Sequence, residues 1–158
     1  AILILPGATI DATPEDSYFV LASPQITFGG AARINGSTAY VAGQEVTLAH
    51  SSGLFDITIP VGSNSVTPIT HTGSTGGPSS GAPGDNHVIY AVANGQLNDF
   101  TTVFSGNLGF DPAVSVSVEN GVIVLSANYA VSGTQVVNDL TSASVTSSPL
   151  GKILIDNA

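Results

Sequence analysis

The chain has no cysteine, no methionine and no tryptophan, and its only basic residues are Arg33 and Lys152. Without cysteine there is no disulfide framework and no thiolate metal site. Two cations stand against 11 acids, for a formal net charge of -9. A nucleic-acid backbone needs a cation for each phosphate it has neutralised, so that class of partner is excluded. The same shortage argues against docking on an anionic membrane. Charged residues make up only 8% of the chain and hydrophobic residues 42%. Disorder goes with the opposite balance, so most of the 158 residues are expected to fold. The longest apolar runs, Ala1 to Leu5 and Val122 to Leu125, fall far short of the roughly 18 residues of a spanning helix. No basic stretch followed by an apolar one is visible as a signal peptide. A chain without crosslinks suits export across an outer membrane in the unfolded state. The length fits one domain or a segment of something longer.

Glycine (18) and proline (9) punctuate the chain every few residues. Strong helix formers are rare, so helices are not expected to dominate. Ile2-Leu3-Ile4-Leu5, Tyr18-Phe19-Val20-Leu21, Ile57-Thr58-Ile59, Val88 to Ala93 and Val114 to Val118 read as short strands. Asn35-Gly36, Asn94-Gly95 and Asn120-Gly121 read as turns, because both residue types tolerate positive φ. A short helix is expected over Gln96 to Phe104, capped by Asn98 or Asp99.

Self-similarity suggests the architecture. Ala22 falls on Ala42, and Ile26-Thr27-Phe28 on Val46-Thr47-Leu48, at an offset of 20. Asn35-Gly36 falls on Asn120-Gly121 at an offset of 85. Gly7-Ala8-Thr9-Ile10-Asp11 resembles Ala31-Ala32-Arg33-Ile34-Asn35, and Ile153-Leu154-Ile155-Asp156 repeats the opening run. A repeat of this size with Gly/Asn corners predicts an all-β parallel β-helix, a solenoid of stacked coils. Ala22, Ala42 and Ala127 would face inward at cramped corners. The expected coils cover about 1–60 and 113–158 of one domain. A Gly/Ser/Thr/Pro-rich excursion leaves it at about 61–112, densest around 61–87. A β-sandwich is the alternative, since short strands at this spacing suit it too.

Several stretches resemble a known family. They are Tyr18 to Ala42, Gly53-Leu54-Phe55-Asp56-Ile57 with Pro60-Val61-Gly62, and His71-Thr72-Gly73. His87-Val88-Ile89-Tyr90, Gly109-Phe110-Asp111-Pro112-Ala113 and Glu119 to Ala127 extend the likeness over most of the chain. Together they are similar to the repeat regions of filamentous-haemagglutinin-like exoproteins of two-partner secretion systems, of the alphaproteobacterial type. The resemblance implies a right-handed β-helix, export through a partner outer-membrane transporter, and a role in surface adhesion or a filament shaft. It carries structural motifs and no catalytic residues.

Candidate chemistry is thin. Gly77-Pro78-Ser79-Ser80-Gly81 matches G-x-S-x-G, but a nucleophile elbow needs a strand before it and a helix after it. His50, His71 and His87 could pair with Asp56 or Asp85, and Asp85-Asn86-His87 with His71 could converge on a metal. Scattered histidines are more often solvent-facing or hydrogen-bonded loop residues. Asp11, Glu15 and Asp16 form the densest acidic group but lack calcium-loop spacing. Asn35-Gly36-Ser37 is a formal glycosylation sequon that reads better as a turn. A lyase-type β-helix enzyme needs cations beside its acids, and Arg33 and Lys152 are far apart in sequence. No catalytic, cofactor or metal-binding residues are therefore expected. The leading expectation is a non-enzymatic, self-assembling structural segment of a secreted adhesin or extracellular filament at the bacterial surface, as in a biofilm. It would stack head to tail on copies of itself and could meet a host or cell-surface glycan. The alternatives are a pilin-like β-sandwich polymerising by donation of Ala1 to Leu5, and a carbohydrate-active β-helix enzyme.

Overall fold

The structure, a computed structural model, describes residues 1–51, 54–78, 87 and 89–94, and the backbone of further strands between 101 and 155. Those residues form strands and no helix, so the chain is all-β. The strands are β1 Ile2–Ile4, β2 Thr9–Ser23, β3 Ile26–Phe28, β4 Ala31–Ala42, β5 Glu45–Ser51, β6 Leu54–Val61, β7 Ile69–His71 and β8 Ser74–Gly76. They continue as β9 Ile89–Asn94, β10 Thr101–Phe104, β11 Asn107–Leu108, β12 Ser115–Glu119, β13 Val122–Ser126, β14 Tyr129–Ser132, β15 Gln135–Asn138 and β16 Lys152–Ile155.

Parallel pairing organises the first two sheets. The first runs β1-β3-β7-β10-β16, parallel throughout. In the second, β4 pairs in parallel with β2 on one side and with β8 and β9 on the other. β13 then pairs antiparallel with β9, and β12 antiparallel with β13. Short corners carry the chain from the first sheet to the second, so β1 with β2, β3 with β4, and β7 with β8 and β9 make three stacked rungs, on which β10 and β11 stack in turn, parallel to β7 and β8. Backbone bonds join the corners: Gly29 N–H donates to Ile4 O at 2.8 Å and Thr72 N–H to Phe28 O at 2.9 Å. The corners lie so close that a Cβ on Gly73 would run into the Gly30 carbonyl. Only glycine fits there.

The third sheet, β14-β15-β6-β5, is antiparallel. Its β5–β6 hairpin packs on the far side of the second sheet. Ala39, Val41, Tyr90 and Val92 meet Phe55, Ile57 and Ile59 on that side. Tyr40, Ala42, Ala91 and Ala93 turn the other way, toward Ile26, Phe28 and Ile69 of the first sheet. β4 and β9 are thus buried on both faces here. That explains why Ala39 to Ala42 and Tyr90 to Ala93 read as unbroken apolar runs and not as alternation.

Tyr90 and Tyr40 are the largest side chains of this core. Burial pushes the Tyr90 phenol up to about 12, offset by its hydrogen bond with Phe55 N–H and reinforced by the charge of Asp56. Burial raises the Tyr40 phenol as well, partly offset by Thr75. A phenol whose folded value is raised adds stability below its unfolded value near 10 and loses it as pH climbs through the folded value. Tyr90 alone should therefore cost the fold about 3 kcal/mol between roughly pH 10 and 12. Denaturant midpoints across that range, with phenolate absorbance recorded in parallel, measure it. Tyrosines that titrate at their ordinary value in the folded chain would contradict the burial argument.

Several expectations need correction. Ile26–Phe28 does not pair with Val46-Thr47-Leu48. Its neighbours are Ile2–Ile4, at an offset of 24, and Ile69–His71, at an offset of 43. Val46 to Leu48 lie in β5, antiparallel to β6. Ala22 faces Val41 and is exposed, whereas Ala42 is fully buried; Ala127 lies outside the described side chains. The departure from the parallel ladders begins earlier than expected, at the β5–β6 hairpin. Within the expected 61–112 excursion, Ile69–His71 and Ser74–Gly76 return to the ladders. Thr101–Phe104 is a strand, not the end of a helix. None of the three sheets closes on itself. The opening and closing apolar runs, Ile2–Ile4 and Lys152–Ile155, are the strands at the two opposite edges of the first sheet.

Candidate functional site

Asn35-Gly36 sits in the middle of β4 and is not a turn. Its real role appears in the register with β2. Thr9 to Ala12 face Ala31 to Ile34, 22 positions on, whereas Ser17 to Ser23 face Gly36 to Ala42, 19 positions on. Thr13-Pro14-Glu15-Asp16 therefore stands opposite the single residue Asn35 and bulges outward. The bulge is held by Ser17 Oγ donating to Pro14 O at 2.6 Å, and by Asn35 Nδ2 donating to Thr13 O at 3.0 Å. Asp16 takes a positive φ of 63°, which an Asp tolerates better than most residues. Gly36 is needed because a Cβ would strike the Ser17 carbonyl. In the third rung, Gly77 and Pro78 after β8 and His87 before β9 lie beside the same place. The departure from regular pairing belongs to β2, while β4 runs straight through.

His87 fastens this corner. Its Nε2 lies 2.8 Å from Glu15 Oε1 and its Nδ1 2.6 Å from Pro78 O. A carbonyl only accepts, and so does an ionised carboxylate. Nδ1 therefore donates to Pro78 O, and when Glu15 is ionised Nε2 donates to it as well and the bridge is a charged one. It ties the first rung's bulge to the third rung across Gly36. The His87 side chain is 5% exposed and that of Glu15 is 52% exposed, so the ion pair itself contributes modestly.

Beside the bridge lies a groove of about 630 Å³ crossing β2, β4 and β8. Asp11, Thr13, Arg33, Asn35, Gly76 and Pro78 are among its lining residues. Asp11, Arg33 and Gly76 share one register position, so the carboxylate and the guanidinium project from adjacent strands. Asn35 Oδ1 is shut off from solvent and has no hydrogen-bond partner among the described residues. Its orientation is fixed, because Nδ2 must be the atom facing the Thr13 carbonyl.

The other candidates do not converge. His71 is no loop residue: it lies in β7, fully buried, stacked on Phe28 with ring centroids 5.5 Å apart. Its Nε2 is 2.7 Å from Thr75 Oγ1, which is 2.5 Å from the Tyr40 hydroxyl. His50 stacks on the exposed Tyr18 at 4.3 Å, with Phe55 alongside. Asp56 is exposed on β6, next to Phe55 in sequence. Asp85 and Ser79-Ser80-Gly81 lie outside the described residues. Among the described residues no three His, Asp or Glu side chains gather in one place. The sequon is strand, with Ser37 fully buried.

The groove was missed in the sequence because its polar residues belong to different rungs. Aligning Gly7 to Asp11 with Ala31 to Asn35 puts Asp11 beside Asn35. The true register puts it beside Arg33. Comparison with protein families, with curated proteins and with solved structures returned no match.

Proposed function

We propose that the chain is a non-enzymatic structural segment of a secreted bacterial adhesin or extracellular filament, and that it stacks end to end. In this reading the three rungs are coils of a right-handed parallel β-helix, and the β5–β6 hairpin is a decoration packed on one wall. The observation that carries it is the state of the first rung. Among the described residues β1 pairs only with β3, and the long β2 only with β4, so no described strand covers their outer edges. Along those edges Leu3 is 63%, Leu5 61% and Tyr18 56% exposed. An open strand edge of this length, flanked by apolar side chains, is a template for a further parallel rung. β16 lies at the opposite end of the same sheet, where a second copy would meet it. Contact of one end with the other is heterologous and propagates. Surface display, export by a partner transporter and contact with a cell-surface glycan follow from this reading and from the family resemblance.

The pilin-like alternative uses Ala1 to Leu5 as a donated strand. It has weaker support, since β1 is already hydrogen-bonded within its own chain. Sedimentation velocity at micromolar concentration and physiological salt tests the proposal. Growing oligomers are expected, and Leu3→Lys with Leu5→Lys should return them to monomer. A wild-type chain that stays monomeric throughout would refute end-to-end assembly.

A further inference from the structure

We propose that the groove across β2, β4 and β8 binds a neutral saccharide, with Asp11 and Arg33 holding neighbouring hydroxyls. This deepens the adhesin reading by naming a ligand class, and it rests on that reading for its biological setting. The volume of about 630 Å³ falls within the roughly 300–1,000 Å³ of small-molecule sites and admits a disaccharide. Such sites combine an apolar lining with a few placed polar groups. Here the exposed Pro78 offers an apolar contact for the C–H face of a sugar ring, while Ala12 and Ala32 turn to the core.

The polar part is specific in kind. A sugar hydroxyl donates one proton and accepts others, and neighbouring hydroxyls present both functions side by side. Asp11 only accepts and Arg33 only donates, and the two occupy facing positions on strands about 4.8 Å apart. Hydrogen bonds to such charged groups are the stronger kind.

Charge decides between saccharide classes. Glu15 and Asp16 stand on the adjoining bulge, and the chain carries a net charge of -9. An acidic sugar or a phosphate would meet one guanidinium with Asp11 beside it and Asp16 nearby, Glu15 being held by His87. A cationic ligand would have to sit against Arg33. A neutral ligand avoids both costs.

Calorimetric titration of the whole chain with maltose, cellobiose and digalacturonate tests this, together with amide chemical-shift mapping. At least one neutral disaccharide should bind saturably and move the resonances of Asp11, Arg33 and Gly76. Asp11→Asn or Arg33→Gln should weaken that binding about tenfold while circular dichroism and melting stay unchanged. The shift map of the wild-type chain decides the matter if a variant folds poorly. The proposal is overturned if neither neutral disaccharide binds, if shifts centre elsewhere, if digalacturonate binds more tightly, or if the sugar is cleaved. A monomeric chain that binds sugar would defeat the assembly reading and leave this one standing. An assembling chain that binds none would do the reverse.

Discussion

Tyr40→Ala should lower stability by about 3–5 kcal/mol, the range for deleting a buried aromatic ring. Tyr40 is 1% exposed and lies where the first two sheets meet. Its ring contacts Phe28 at 5.4 Å, Phe19 at 6.3 Å and His71 at 5.8 Å between centroids. Truncation opens a cavity among side chains from all three rungs, and parallel strands held by their neighbours collapse little to fill it. The hydroxyl is a separate contribution. It completes a buried chain in which Thr75 Oγ1 stands between Tyr40 and His71 Nε2. Thr75 has one proton and two lone pairs to share between them. Tyr40→Phe keeps the ring and removes one member, so about 1–3 kcal/mol is expected. Urea midpoints of both variants give the comparison. Equal losses would mean that the hydroxyl carries the whole effect and the ring packing little, contrary to the contacts described here.

Gly36→Val is the second large expectation, at about 3 kcal/mol or more. Most overpacked side chains find relief in another rotamer. Here the obstruction is backbone against backbone: the first atom of any side chain meets the Ser17 carbonyl. Ser17 cannot retreat without breaking its register with Gly36 and, beyond it, the run from Tyr18 to Ser23 against Ser37 to Ala42. Gly36→Ala should carry most of the penalty, because the clash is already present at Cβ. Thermal melts of the two variants test this. A Gly36→Ala chain as stable as the wild type would show that the bulge tolerates displacement.

These two positions show what could be read in the sequence and what could not. The all-β character was legible in β-branched residues, glycine corners and missing helix formers. The likeness of the two terminal runs did not say that β1 and β16 would stand at opposite edges of one sheet. The repeat length was not legible. Rungs related by pairing are separated by the 13–16 bulge, by the hairpin of β5 and β6, and by the stretch between β8 and β9. No constant offset survives, and the coincidence at 20 positions was spurious. Asn-Gly is a turn signal by propensity, but at Gly36 the same small residue answers a close approach of two strands. The histidines were read as loop residues because one sequence position says nothing about stacking. Phe28 and His71 share a column only because β3 and β7 are neighbours. The groove was the least visible, since Asp11, Arg33 and Gly76 are brought together by register alone.

The contrast between hairpin and ladder bears on how the chain folds. β5 and β6 meet around a short connection, with Ser51 facing Leu54, and such hairpins close in microseconds. The rungs are different. Ala31 must find Thr9 on one side and Ser74, 43 residues later, on the other. Loop closure on that scale is costly before any contact rewards it, and parallel pairing is intrinsically slow. The hairpin forms early and carries Phe55, Ile57 and Ile59 on one face. β4 can settle there with Ala39 and Val41 before β9 arrives with Tyr90 and Val92. The decoration on the wall would then be the nucleus on which the wall condenses, and lesions in the hairpin would slow folding more than they hasten unfolding.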